Sequence, residues 1–105
     1  ILYIKDLVRA FDAFISKDEV RYGVYNVGGG PRNAVSLLEM IELLERLTGR
    51  RAIVRFSKWR PFDQKIYISN INRIRQELGW EPTTPPEEGV RRLVKWIRAN
   101  KHLLT

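Results

Sequence analysis

Apolar residues recur along this chain in two rhythms, a spacing of three and four that belongs to helices and an alternation of two that belongs to strands. Leu7, Val8, Phe11, Phe14 and Ile15 follow the helical rhythm, and Asp6 stands just ahead of them where a side-chain cap belongs. A helix is predicted over residues 7–16. Leu37, Leu38, Ile41, Leu44 and Leu47 repeat the pattern behind Ser36 and Glu39, a capping box, with Gly49 as the left-handed stop. Asn70 is placed to cap a short helix carrying Ile71, Ile74 and Leu78, which Gly79 ends. Thr84-Pro85-Pro86-Glu87 reads as a second capping box with proline at the first helical position, ahead of a stripe of Val90, Leu93, Val94 and Ile97. Gly89 inside that helix costs about 1 kcal/mol relative to alanine, which predicts a compensating close contact.

The strand rhythm is shorter. Residues 2–4, 23–27, 52–56 and 65–68 have β character, and Trp59-Arg60-Pro61-Phe62-Asp63 breaks the last two apart. The predicted order is β-α-β-α-β-loop-β-α-α, without internal repeats, so the class is α/β. Residues 2–4 and 65–68 are expected side by side, since both border the loop. Four short strands make a thin sheet, and the residue 23–27 strand with its adjoining helices is expected to leave an apolar patch for other protein, or for a second copy, to cover.

Composition narrows the function classes. The chain has 105 residues, 44% hydrophobic and 30% charged, which suits one soluble domain, and no apolar run approaches the roughly 18 residues of a membrane span. Without cysteine there is no disulfide framework and no thiolate metal site, and the cytoplasm is the expected compartment. The chain opens at Ile1 in mid-pattern, as expected of part of a longer protein. Its net charge of +7 favours anionic partners. Arg46, Arg50, Arg51, Arg55, Lys58, Arg60, Lys65, Arg73 and Arg75 face only Asp63 over the same stretch, so the positive field is central.

Several motifs offer chemistry. Gly28-Gly29-Gly30 follows a strand, but Asn33 occupies the place of the third glycine in a dinucleotide loop, so a structural turn is the better reading. His102 has no neighbouring metal ligands in the sequence and reads as a surface residue. None of Tyr3, Tyr22, Tyr25 and Tyr67 has a lysine four residues on, so the acid/base pair of short-chain dehydrogenases is missing and no catalytic residue is assigned. Arg60, stiffened by Pro61, presents a fork suited to phosphate oxygens, and Asp63 can accept from sugar hydroxyls. The competing reading pairs Arg60 with Asp63 across the turn.

Val24-Tyr25-Asn26-Val27-Gly28-Gly29-Gly30, Ser36-Leu37-Leu38-Glu39, Arg60-Pro61-Phe62-Asp63 and Glu77-Leu78-Gly79-Trp80-Glu81-Pro82, in that order and spacing, resemble the C-terminal third of NAD-dependent nucleotide-sugar epimerases and dehydratases. These are extended short-chain dehydrogenases/reductases. Leu2-Tyr3-Ile4-Lys5-Asp6-Leu7-Val8 looks like the family's entry into its substrate domain, and Glu88-Gly89 with Trp96 like its closing helix. Phe56-Ser57-Lys58-Trp59-Arg60-Pro61 followed by Asp63-Gln64 is most similar to the CDP-paratose/CDP-tyvelose 2-epimerase branch.

The resemblance implies the last strand of a Rossmann-type sheet plus a small mixed α/β substrate-binding domain over residues 1–105. The NAD-binding half, with its glycine-rich loop and tyrosine-lysine pair, would precede it. Arg60 would bind the diphosphate of a nucleotide sugar and Asp63 approach the ribose. The partners implied are that sugar, the chain's own N-terminal domain and, in an oligomer, a second copy; alone, this part would not turn over substrate. Two departures stand out: the family usually has glycine where Phe62 stands and an acid where Asn70 stands. The alternative is a small basic nucleic-acid-binding module, suggested by the charge and the 10% aromatic content.

Overall fold

The computed structural model describes residues 1–17 and 22–104. It holds α1 (Ile4–Ile15), α2 (Leu37–Thr48), α3 (Asn72–Leu78) and α4 (Pro86–Ala99), with 3-10 turns at Pro31–Asn33 and Lys101–Leu103. Among the described residues there is no β-strand, so the predicted sheet and α/β class are not realised there. The reason is visible at residues 22–27. Gly23, Tyr25 and Val27 turn inward while Tyr22, Val24 and Asn26 face out, so the period of two is kept. What is lacking is a ladder, since a strand exists only by pairing with a neighbour. Residues 52–56 and 65–68 likewise form no strand and are exposed.

Helix α2 forms as expected. Ser36 Oγ accepts from the Glu39 amide at 3.1 Å, Glu39 accepts from the Ser36 amide at 2.6 Å, and Gly49 closes the helix at φ 70°. Gly79 ends α3 in the same left-handed conformation, at φ 63°. Asn70 Oδ1 accepts from the Asn72 amide at 3.0 Å, while Ile71 occupies the cap position itself.

Two helix starts differ from expectation. Helix α1 begins at Ile4 with Tyr3 at its cap, so the residue 2–4 segment is not a strand and Asp6 is not a cap. Asp6 finds stronger donors elsewhere, and the helix extends upstream past it. Helix α4 does start with Pro86 at its first position, but Pro85 is the cap residue and the Thr84–Glu87 box does not form. Proline holds its predecessor extended, which carries Thr84 off the helix path, and Glu87 pairs with Arg91 at 3.0 Å.

The core is small: Ala10, Ile71, Ile74 and Trp80 are buried together, with Leu2, Ala13, Tyr25, Val27 and Leu78 packed around them. A carboxylate organises its edge. Asp6, 1% exposed, accepts from Arg9 at 2.6 Å, from the amides of Thr83 and Thr84 at 3.2 and 2.9 Å, and from the Thr83 hydroxyl at 3.1 Å. The Trp80 indole donates to the Asp6 carbonyl at 2.9 Å, so one residue clamps the Trp80–Thr84 turn to α1. Gly89 provides the predicted close contact: a Cβ there would lie 3.3 Å from the Tyr3 side chain. Arg92 then stacks over the Tyr3 ring at 5.6 Å.

Much apolar surface stays in solvent. The bulky row of α1, Ile4, Val8, Phe11 and Ile15, is exposed, and the buried row of the same helix is Asp6 and Ala10. The accessible surface is 9150 Å², where a compact monomer of this mass would expose roughly 6,100 Å². The radius of gyration is 16.9 Å, against about 13 Å for a globular chain of this length.

Candidate functional site

Between α2 and α3 the chain makes one long excursion, rooted at both ends. At its start the Ala52 amide donates to Glu45 of α2 at 2.8 Å. At its end the buried Ser69 hydroxyl accepts from the Gly30 amide at 3.0 Å. Every residue from 51 to 68 is exposed.

Arg60, Pro61, Phe62 and Asp63 form a tight turn closed by the Asp63 amide donating to the Arg60 carbonyl at 3.2 Å. Proline at the second position and a positive φ at the third are the signature of a type II turn, which ordinarily takes glycine there. Phe62 holds φ 63°, so the aromatic residue adopts the backbone shape that the resemblance assigns to glycine. Its side chain stands wholly in solvent. The turn therefore brings Arg60 and Asp63 to its two ends. Among the described residues the two side chains do not pair with each other, so the fork and the carboxylate both point at what solvent brings.

Just outside the turn the Lys65 ammonium sits over the Trp59 ring, 5.5 Å from its centre, closing the base of the loop. The motif analysis passed over this pair. A lysine six residues after a tryptophan, across a proline turn, was the signal.

The glycine run is a packing point. A Cβ on Gly29 would collide with the Ile1 carbonyl, and Gly30 takes φ 71° and spends its amide on Ser69. With the Gly30 amide taken by Ser69 and the Ile1 carbonyl pressed against Gly29, these residues do not fit a dinucleotide. Ile1 and Leu2 meet Tyr67, Ile68 and Ser69 across a cleft of about 210 Å³, so the first and last predicted strands are neighbours without pairing.

A separate cleft of about 340 Å³ lies between the glycine turn, Arg32, Arg75 and the Thr83–Thr84 turn; Arg60 and Asp63 are not on its wall. Another depression is apolar, about 500 Å³, and is lined by Phe11, Phe14 and Ile15 of α1, Tyr25 and Val27, and Ile74 and Leu78 around α3. That is the patch expected beside the Tyr25 segment. His102 is exposed in the last 3-10 turn.

Near the core, Asp6 and the Tyr25–Glu77 pair have shifted acidity. Burial alone would raise the Asp6 pKa, but the bonds from Arg9, Thr84 and Thr83 outweigh it and hold the group below the ordinary carboxylate value. A hydrogen bond with Glu77 raises the Tyr25 pKa and lowers that of Glu77. Arg73 covers the Tyr25 ring at 5.1 Å and bonds Glu77 at 3.2 Å. These groups support the fold at some remove from the turn. Among the described residues, no helix is long and apolar enough to cross a membrane.

No protein-family model matches the chain. It is 35% identical over 102 residues to a UDP-glucuronate 4-epimerase of Thermodesulfobacterium geofontis, covering 97% of this chain and 31% of the relative. Over 99 residues it is 28% identical to a CDP-paratose 2-epimerase of Salmonella typhi, covering 91% and 29%. A mouse dTDP-D-glucose 4,6-dehydratase is 32% identical over 106 residues, covering 96% and 29%. The chain thus spans about a third of the length of the curated relatives it matches, and those relatives are named for epimerisation or dehydration of UDP-, CDP- and dTDP-linked sugars.

Proposed function

We propose that this chain is the C-terminal, nucleotide-sugar-binding part of an NAD-dependent sugar epimerase or dehydratase, with Arg60 gripping the diphosphate and Asp63 meeting the ribose. The observation that carries this reading is the closed turn that sets at its two ends a guanidinium and a carboxylate that form no ion pair among the described residues. A planar guanidinium there offers two parallel donors to diphosphate oxygens, and a carboxylate can only accept, as ribose hydroxyls require. The similarity of Phe56-Ser57-Lys58-Trp59-Arg60-Pro61 to the CDP-paratose/CDP-tyvelose branch favours a CDP-sugar. NAD and the acid/base pair belong to residues beyond this chain, because the glycine turn here is filled by Ile1 and Ser69. The apolar groove along α1 and the Tyr25 segment would be covered by that same cofactor-binding domain. In this reading the exposed basic and aromatic residues of 50–67 serve one nucleotide, not a nucleic acid.

Calorimetry on the intact polypeptide with CDP- and UDP-sugars tests the assignment. Arg60→Ala should weaken binding by about 2 to 3 kcal/mol, the range for losing a charged hydrogen-bond partner, and Arg60→Lys should restore only part. An Arg60→Ala protein that binds like wild type removes Arg60 from the site.

A further inference from the structure

Four aromatic side chains stand out from the excursion that carries the turn: Phe56 at 83% exposure, Trp59 at 61%, Phe62 at 105% and Tyr67 at 70%. Of these, among the described residues, only Trp59 has a cation over its ring, the Lys65 ammonium 5.5 Å from the ring centre. Trp80 is 2% exposed and bonded to Asp6, and Trp96 on α4 is 50% exposed, without a cation over its ring among the described residues. Exposure alone therefore does not single out Trp59; the ammonium over its ring, next to Arg60, does.

We infer that Trp59 is the stacking platform for the base of the nucleotide whose diphosphate Arg60 holds, an inference that rests on the reading of Arg60 given above. The chemistry is specific to this pair. An ammonium over one face of an indole fixes the ring by cation–π attraction and occupies that face. The opposite face remains for a flat partner, and a nucleobase is a flat partner tethered to a diphosphate. Trp59 immediately precedes Arg60, so platform and phosphate fork travel on the same rigid, proline-stiffened turn. Lys65 adds positive charge beside the phosphates at the same time. Phe62 lacks this support: it projects from the tip of the turn without a neighbour to orient it. Because every base offers a π face, stacking here strengthens binding of any nucleotide and does not select among bases. Specificity for cytosine or uracil must then come from hydrogen-bonding groups outside the turn.

The test uses the intact polypeptide and three probes: CDP, UDP and inorganic pyrophosphate, with affinities measured by calorimetry. Trp59→Ala should weaken CDP and UDP alike, by about tenfold, while pyrophosphate binding is unchanged. Trp59→Phe should recover most of the loss. Arg60→Ala should weaken all three probes. If Trp59→Ala binds CDP like wild type, or loses pyrophosphate as much as CDP, the platform is wrong and the role of Arg60 stands. If Arg60→Ala leaves all three probes unaffected, the phosphate site itself is elsewhere and the inference falls with it.

Discussion

The main-chain amide of Thr84 donates to the buried carboxylate of Asp6 across 2.9 Å, joining positions 78 apart in the sequence. Around this bond α1, the Trp80 turn and the start of α4 are assembled, and it sets the first expectation. Asp6→Ala leaves the amides of Thr83 and Thr84 without an acceptor and Arg9 without its partner. Arg9 is about half exposed, so the loss comes mainly from the Thr83 and Thr84 donors deprived of a charged acceptor, about 1.5 to 3 kcal/mol. Urea titration of the intact polypeptide should show a loss of that size, and a variant within 0.5 kcal/mol of wild type would dispose of the clamp; about that figure is the ordinary range for a neutral surface change.

Acid should act through the same group. The folded pKa of Asp6 lies below its unfolded value of about 3.9. Its contribution is therefore complete above that value and drains away as pH falls through the folded pKa. Melting temperature should drop below about pH 4 in the wild type. In Asp6→Asn the drop should be shallower, and equal slopes would show that other carboxylates set the acid limit.

Phe62 holds a backbone conformation that costs an L-residue roughly 1 to 2 kcal/mol. Phe62→Gly should keep the Arg60–Asp63 turn closed, with the Asp63 amide protected from hydrogen exchange at least as well as in wild type. Phe62→Ile, branched at Cβ, should open it. Equal protection in the two variants would mean that the turn does not depend on the left-handed residue.

Legibility followed the range of the forces involved. Ser36, Glu39 and Gly49 act within one helix, so the capping box and the stop of α2 were readable from spacing alone. The Arg60–Asp63 turn was readable because proline and its neighbours decide it locally. Asp6 was misread as a cap because its true donors lie more than 70 residues away, and nothing in Lys5-Asp6-Leu7 announces Thr84. Thr84 was misread for the mirror-image reason, its amide being drawn to Asp6 and its backbone held extended by Pro85. The strands were half legible: the alternation around Tyr25 survives as a pattern of exposure, but pairing is a property of two segments and no periodicity within one of them can supply it. The Trp59–Lys65 contact is not legible from spacing alone because the aromatic ring and the cation lie on either side of the proline turn, and only the folded loop brings them together.

The alternating run around Tyr25 has no ladder among the described residues, so its main chain is open to pairing as the edge of a sheet is. Arg73, whose guanidinium takes the Val24 carbonyl at 2.9 Å, is a charged guard upon it, the device by which natural edges resist sticking to one another. A strand docking on that run would stabilise the folded chain by mass action, and the melting point would then rise with the logarithm of the docking partner's concentration. Were that partner a second copy, a denaturation midpoint would have meaning only when quoted with the protein concentration at which it was obtained.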